Sequence, residues 1–381
     1  MADKTTTHYN GSLGSTLKDG RYTLVRKLGE DTTSITWLVR DSEGAKQFHA
    51  AKILSAEHTA EPDGPPRELE FMQKITEAGT ASGLEPMGFI RLHDSFLVED
   101  KHLCLVQTLC SGSLGTMRRA APFKRLPVYM ARNSMHALLT CLEALHSLKI
   151  VHTDVHLGNI LISNTGLSLP DELERYLTDN AVAMNQEINL PEIQPIPHGV
   201  THQTSASEAK AMSFYPADYG HGEPPRSAYF CPFALRPPEV VLGSGFGPAM
   251  DIWAVGCLTW ELIAGCWFFA PQDGEDQFSV ADDHLAKMQE LTGQCFAKAV
   301  LDRAKYGDQF FDQDGNLLRI PDLVPMTIEQ AFTNYKIEGL SEEDMKDGAD
   351  FVRCCLELDH EKRPTARTLL DHRFMRKAFG C

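Results

Sequence analysis

Asp154 and Asn159, five residues apart, sit in the stretch His152-Thr153-Asp154-Val155-His156-Leu157-Gly158-Asn159, which runs straight into the apolar Ile160-Leu161-Ile162. The pattern suits phosphoryl transfer. That chemistry needs a carboxylate to accept or orient the proton of an attacking hydroxyl, and oxygen ligands for the magnesium that neutralises the moving phosphoryl group. Asp154 fits the first role and Asn159 the second. A second metal carboxylate is expected further along, where a glycine lets the backbone turn, and Asp218-Tyr219-Gly220 supplies it. By itself such a triplet is an ordinary turn. The α- and β-phosphates call for an ammonium held on target by a fixed carboxylate. Lys52 in Ala50-Ala51-Lys52-Ile53-Leu54 and Glu68 in Glu68-Leu69-Glu70-Phe71-Met72 form that pair, with Glu70 as the second choice. Read singly, these are a strand-end lysine and a solvated helix carboxylate; their order along the chain turns them into a constellation.

The elements that must hold these residues are legible from periodicity. Tyr22 to Leu28 and Ser34 to Val39 alternate apolar and polar residues around Gly29-Glu30-Asp31-Thr32-Thr33, which predicts a hairpin. Phe48–Leu54 reads as a third strand, Arg67–Ile75 as a helix, and 89–96 and 102–107 as two further strands. From Val128 the pattern turns helical, with Met135, Leu138, Leu139, Leu142 and Leu145 on one face. Asp251 to Ala264 is apolar nearly all round, as in a helix buried at the centre of a large lobe. The order is β-rich, then helical, an α+β architecture. Residues 165–216, with Pro170, Pro191, Pro195, Pro197 and Gly199, read as an exposed, mobile insertion carrying a short helix from Asp171 to Leu177.

Composition narrows the classes. A chain of 381 residues with 43% hydrophobic content can bury a sizeable core. Met1 to Thr7 is polar with no apolar run behind it, so no secretory signal is expected, and the most apolar stretch, Ile252–Ala264, is short and carries Glu261. Ten cysteines without a Cys-x-x-Cys pair suit reduced thiols in a cytoplasmic or nuclear protein. A formal charge of −16 argues against direct nucleic-acid binding and is compatible with a basic partner, although ordinary solubility accounts for it equally well.

With Pro237-Pro238-Glu239 placed 21 residues after Asp218, Asp251-Ile252-Trp253 opening the buried helix, and Arg363 near the end, the sequence resembles a eukaryotic protein kinase. The resemblance covers Tyr22 to Phe374, with 1–21 an N-terminal extension and 375–381 a short tail. It implies a bilobal fold: a small β-rich N-lobe over about 22–109 and a large helical C-lobe over about 110–374. Among kinases it most resembles those of serine/arginine-rich splicing proteins, in the CMGC group. The supporting segments are Gly20 to Gly29, His152-Thr153-Asp154, Leu242 to Phe246, Asp282 to Ala286 and Tyr306 to Asp312. The family implies ATP and Mg2+ as cofactors and a monomer away from membranes. It also implies a nucleotide site of Leu28, Gly29, Ala50, Lys52, Gln107, Leu109, Asn159 and Asp218, with Gln107 as gatekeeper and Asn159 and Asp218 on metal. Catalytic roles fall to Asp154, Lys52, Glu68 and His156, and Glu239 with Arg363 forms an anchoring ion pair. Thr153, where most kinases carry an arginine that reads a phosphorylated activation loop, implies activity without that phosphorylation.

The sequence also departs from the family. The phosphate-covering loop has one glycine, with Asp31 where a second is expected and Ser34 near the third. His156 replaces a lysine that contacts the γ-phosphate, and Pro232 falls near a threonine of the same network. The expected function is γ-phosphate transfer to Ser or Thr of protein substrates, in Arg/Ser-rich or basic segments. Asp283 and Glu290, seven residues apart on one helical face, match two acids of the family's docking groove, while a third acid is replaced by Cys266. A pseudokinase scaffold is the rival reading. The His-x-Asp-x-His-x-Gly-Asn spelling, similar to that of aminoglycoside and choline kinases, leaves a small-molecule kinase as a lesser one.

Overall fold

The computed structural model describes residues 7–44, 47–60, 66–82, 88–163, 170–185, 190–197, 199–219, 231–335, 337 and 340–379. They group into two compact units: one of 1–113, 161–200 and 212–220, the other of 114–160, 201–211 and 221–381.

The first unit is built on an antiparallel six-stranded sheet in the order β1-β2-β3-β4-β6-β5, comprising β1 (Thr16–Leu17), β2 (Tyr22–Glu30), β3 (Ser34–Asp41), β4 (Phe48–Leu54), β5 (Leu92–Val98) and β6 (His102–Gln107). The hairpin and the third strand stand where alternation puts them. Tyr22, Leu24, Ile35, Trp37, Ala51, Ile53 and Val106 point into one core, as the period of two requires. All seven residues of β4 are buried, so Lys52 is carried on a strand covered on both faces. Register pairs Thr36 with Lys52 and Ala50 with Gln107. The Pro66–Ser82 helix starts on a proline and has Glu68 in its first turn.

Two segments outside the strand pattern pack on this sheet. Before Tyr22, Tyr9 and Leu17 join the sheet core, and the Thr7 amide donates to Glu57 at 2.8 Å. The described part of the insertion is packed rather than loose. In its Pro170–Asp179 helix, Leu173, Tyr176 and Leu177 form an i, i+3, i+4 stripe that seals onto Leu38 and Phe48 together with Ile196. Arg40 pairs with Glu174 at 2.8 Å, the Gln194 amide donates to the Lys27 carbonyl at 2.9 Å, and the Ser111 hydroxyl donates to the Pro197 carbonyl at 3.3 Å. Burying this stripe is what opposes the mobility expected from the prolines.

The second unit is helical around Ala249–Ala264, in which every residue from Met250 to Ala264 is buried, as an all-round apolar segment demands. Val128–Ser147 and Glu342–Cys355 pack against it. Gly256 allows the closest approach, since a Cβ there would stand 2.6 Å from the Cys355 side chain. No helix among the described residues is long and apolar enough to cross a membrane, and the nine cysteines among them are free thiols.

Candidate active site

In the first unit the Lys52 ammonium donates to both Glu68 oxygens at 3.0 and 2.9 Å and to Asp218 Oδ1 at 2.9 Å. Lys52 and Glu68 are buried. Glu70, the second choice, is exposed and pairs with Lys74 instead, so the geometry selects Glu68. Burial alone would depress the Lys52 ammonium, but the Asp218 and Glu68 carboxylates outweigh it and hold its pKa above the ordinary lysine value. Burial raises Glu68; Lys52 opposes this, and the charges of Asp218 and Asp31 add to it. Asp218 has a left-handed backbone, φ 68°, and the buried Tyr219 beside it donates its hydroxyl to the Pro216 carbonyl at 2.6 Å. Gly220 lies outside the described residues. Of the residues expected around adenine, Leu28 and Leu109 pack on one apolar cluster with Leu38, Phe48, Leu173 and Ile196, and Ala50 stands opposite Gln107.

After a register shift between Lys27 and Gly29, β2 stays paired through Gly29 and Glu30, and the connection to β3 is closed by a side chain. Asp31 Oδ1 accepts the amides of Thr33 and Ser34 at 2.7 and 2.8 Å and the Thr33 hydroxyl at 2.8 Å, while Oδ2 accepts the Ser34 hydroxyl at 2.9 Å. The turn is thus built on a carboxylate where glycines would leave amides open.

In the second unit the catalytic-loop residues are set from below by Asp251. Its carboxylate accepts the His152 amide at 2.9 Å and the Thr153 amide at 2.8 Å and meets His146 Nε2 at 2.8 Å. These bonds hold Thr153 in the left-handed region, φ 72°, a strained state for a β-branched residue. Asp154 follows. Its Oδ2 accepts the Asn159 side-chain amide at 3.2 Å, and its Oδ1 is buried with no hydrogen-bond partner among the described residues. His156 turns inward: the Gly158 amide donates to Nδ1 at 3.0 Å, which puts the ring proton on Nε2, 3.6 Å from Asp154 Oδ2. A Cβ on Gly158 would stand 2.7 Å from that ring, so the histidine needs a glycine two residues on. Burial raises the Glu261 carboxyl, against the charge of Arg118, its partner at 3.2 Å. Burial also pushes the Cys231 thiol up to about 12, with Asp154 adding to it, so it stays protonated.

Each unit separately carries groups suited to a divalent cation. Asn159 gives its amide nitrogen to Asp154, which leaves its carbonyl oxygen to ligate a cation. Around Lys52 two carboxylates, Glu68 and Asp218, meet a single ammonium, and the charge of Asp31 acts on Glu68, an excess of negative charge that a divalent cation would offset.

The supporting contacts of the second unit are also in place. Arg363 Nη1 and Nη2 donate to the Glu239 oxygens at 2.8 and 3.1 Å, both residues buried. Pro232 starts a short turn over Phe233–Leu235. Asp283 and Glu290 share the Val280–Thr292 helix, yet both are engaged internally. Lys287 lies 2.6 Å from Asp283, the Gln272 amide donates to Asp283 at 2.6 Å, and the Val324 amide donates to Glu290 at 2.8 Å. Sequence reasoning named Asp251 only as a helix start and passed over His146; a buried aspartate opening an apolar helix was the available signal.

With this geometry in hand, residues 22–180 and 206–375 match the protein kinase domain family, and the chain belongs to it. It has the α+β protein kinase fold, with a β-sheet unit and a helical unit. It is similar to the serine/threonine-protein kinase SRPK of Physarum polycephalum, 29% identical over 374 residues, 93% of this chain and 85% of that protein. It is also similar to the probable serine/threonine-protein kinase clkA of Dictyostelium discoideum, 26% identical over 98% of this chain and 38% of that protein. Spk-1 of Caenorhabditis briggsae is 39% identical over 137 residues, 36% of this chain and 12% of that protein.

Proposed function

We propose that the chain transfers the γ-phosphate of magnesium-bound ATP to serine or threonine hydroxyls of protein substrates. The observation that carries this is the buried Oδ1 of Asp154, which has no hydrogen-bond partner among the described residues while Asn159 holds its other oxygen, leaving Oδ1 able to accept a hydroxyl proton. Lys52, kept charged by Glu68 and Asp218, would hold the α- and β-phosphates. Bound magnesium supplies the charge neutralisation, with Asn159 and Asp218 as its ligands. His156 offers the acceptor side a short Nε2–H donor in place of a long ammonium.

The acceptor class we put forward is a hydroxyl in a basic, Arg/Ser-rich segment, supported by the charge of −16 and the likeness to an SRPK. An arginine entering at Asp283 would have to displace Lys287, so the preference is assigned to the overall field rather than to Asp283 and Glu290 alone. A reducing, ATP-supplied compartment, cytoplasm or nucleus, is the setting this reading requires. Asp154→Asn tests the assignment: transfer to an Arg/Ser peptide falls by about 10²–10⁴-fold while nucleotide affinity holds. Transfer by the variant at the wild-type rate would remove Asp154 from the mechanism. Wild-type protein that binds nucleotide and phosphorylates neither peptides, basic proteins nor small alcohols would favour the scaffold reading instead.

A further inference from the structure

The turn between β2 and β3 offers an inference that rests on the nucleotide reading above. A loop that covers phosphates does so with backbone amides aimed at the anion. Here the amides of Thr33 and Ser34 are already taken, both by one carboxylate oxygen of Asp31, at 2.7 and 2.8 Å. The hydroxyls of the same two residues close on the same carboxylate at 2.8 and 2.9 Å. Four donors converging on one anionic group is the hydrogen-bond pattern a phosphate would receive. The Asp31 amide in turn donates to the Ser34 carbonyl at 3.0 Å, so the donors are pinned in one turn. Residue 31 directly follows the Lys27–Glu30 end of β2, and its charge reaches the Lys52–Glu68–Asp218 cluster, where it acts on Glu68.

We propose that Asp31 is a built-in surrogate for a nucleotide phosphate, an intramolecular competitor that occupies the loop amides until ATP or ADP displaces it. Displacement exchanges one anion for another on the same donors, and the freed carboxylate then stands near the phosphates it has replaced. Nucleotide binding is weakened on both counts. The effect is confined to phosphorylated ligands, because adenosine makes no claim on these amides.

Titration calorimetry on the full chain with adenosine, ADP and ATP, with magnesium present, tests this on wild type, Asp31→Gly and Asp31→Asn. Asp31→Gly frees the amides and removes the charge, and is expected to bind ADP and ATP about tenfold more tightly, equivalent to about 1.4 kcal/mol, with adenosine unchanged. Asp31→Asn keeps an acceptor oxygen for the two amides without the charge and is expected to fall between the other two. Equal ADP and ATP affinities for wild type and Asp31→Gly would overturn the proposal, as would an equal rise for adenosine, which would mark a general change in the loop. Should a variant misfold, its thermal melting midpoint reveals it, and Asp31→Asn, which preserves the turn, then decides alone. If no protein in the set bound adenosine or nucleotide, the nucleotide reading itself would fall and the inference with it.

Discussion

The nucleotide-side cluster of the first unit and the acceptor-side loop of the second depart from the family pattern in the same way. In each, a side chain folds back to accept the amide two residues on: Asp31 takes that of Thr33, and His156 takes that of Gly158. The difference lies in what remains. Around Lys52 the ammonium keeps both carboxylate partners and the altered loop is an addition to them, whereas beside Asp154 a histidine stands where the family resemblance implies a lysine. Under the proposed function, divergence on the first side would tune nucleotide affinity, and on the second it would change how an acceptor is met.

The most severe way to break this comparison is to remove the centre of the intact side. Lys52→Ala strands Glu68 in a buried site, and breaking a buried pair of this kind costs about 3–5 kcal/mol. We expect a large drop in the denaturation midpoint together with loss of transfer. A second variant, Lys52→Ala with Glu68→Leu, should recover stability but not transfer, which separates the structural from the phosphate-binding role. Recovery of transfer in the double variant would contradict the assignment of Lys52.

Acid sharpens the contrast between the units. His284, buried in the second unit with Nε2 on the Arg236 carbonyl at 2.9 Å, is held at about 4 by burial, against that hydrogen bond, instead of the ordinary 6.5. Its folded pKa is depressed, so between 6.5 and 4 the unfolded chain binds the extra proton. This contribution is complete above 6.5 and is lost as pH falls to about 4, by up to about 3 kcal/mol. In the first unit the Arg21 hydrogen bond holds Asp41 at about 2, outweighing its burial, so its contribution persists down to 3.8 and fades only below that. Urea titrations from pH 7 to 4 should show a slope that His284→Gln flattens and Asp41→Asn does not. A slope indifferent to His284 would count against the burial argument.

How much of this was legible in the sequence divides along physical lines. Lys52, Glu68, Asp154, Asn159 and Asp218 were readable because polar and charged groups in that fixed order suit phosphoryl transfer, Glu239 with Arg363 through the family resemblance, and the strands and the Ala249–Ala264 helix because periodicity reports burial. The packing of the insertion was hidden by its prolines, although Leu173, Tyr176 and Leu177 carried a helical stripe. Nothing in the spelling of the loop at Asp31 showed that its carboxylate would turn onto its own backbone, because a cap depends on φ and ψ rather than on composition. The docking acids show the converse: Asp283 and Glu290 matched by spacing, but Lys287, one turn along the same helix, had already claimed Asp283.

Smaller in effect, and aimed at the acceptor side, is the glycine that His156 requires. Gly158→Ala places a methyl 2.7 Å from the imidazole, and overpacking of this sort costs about 1–3 kcal/mol. The ring must leave Gly158, and Asp154 loses its Nε2–H neighbour. Transfer should therefore fall through kcat more than through the KM for ATP, since the Lys52 cluster is untouched. Combining it with His156→Lys removes the clash, so the double variant should be more stable than Gly158→Ala alone. Additive effects of the two substitutions would show that residues 156 and 158 do not act as a unit.

The smallest expected effect is that of Arg40, on the ion pair between the sheet and the insertion. Arg40 and Glu174 meet at 2.8 Å through paired nitrogens and oxygens, but their side chains are 42% and 34% exposed. Solvent and salt screen such a pair, so Arg40→Ala should cost less than about 1 kcal/mol. Leu173, 2% exposed against Leu38 and Phe48, is the opposite case, and Leu173→Ala should cost about 2–5 kcal/mol. If the insertion is held by its apolar stripe, the two melting shifts will differ severalfold and only the Arg40 shift will shrink in high salt. Comparable shifts would mean that charge rather than burial fastens the insertion to the sheet, and the contrast between a packed helix and its proline-rich surroundings would have to be drawn again.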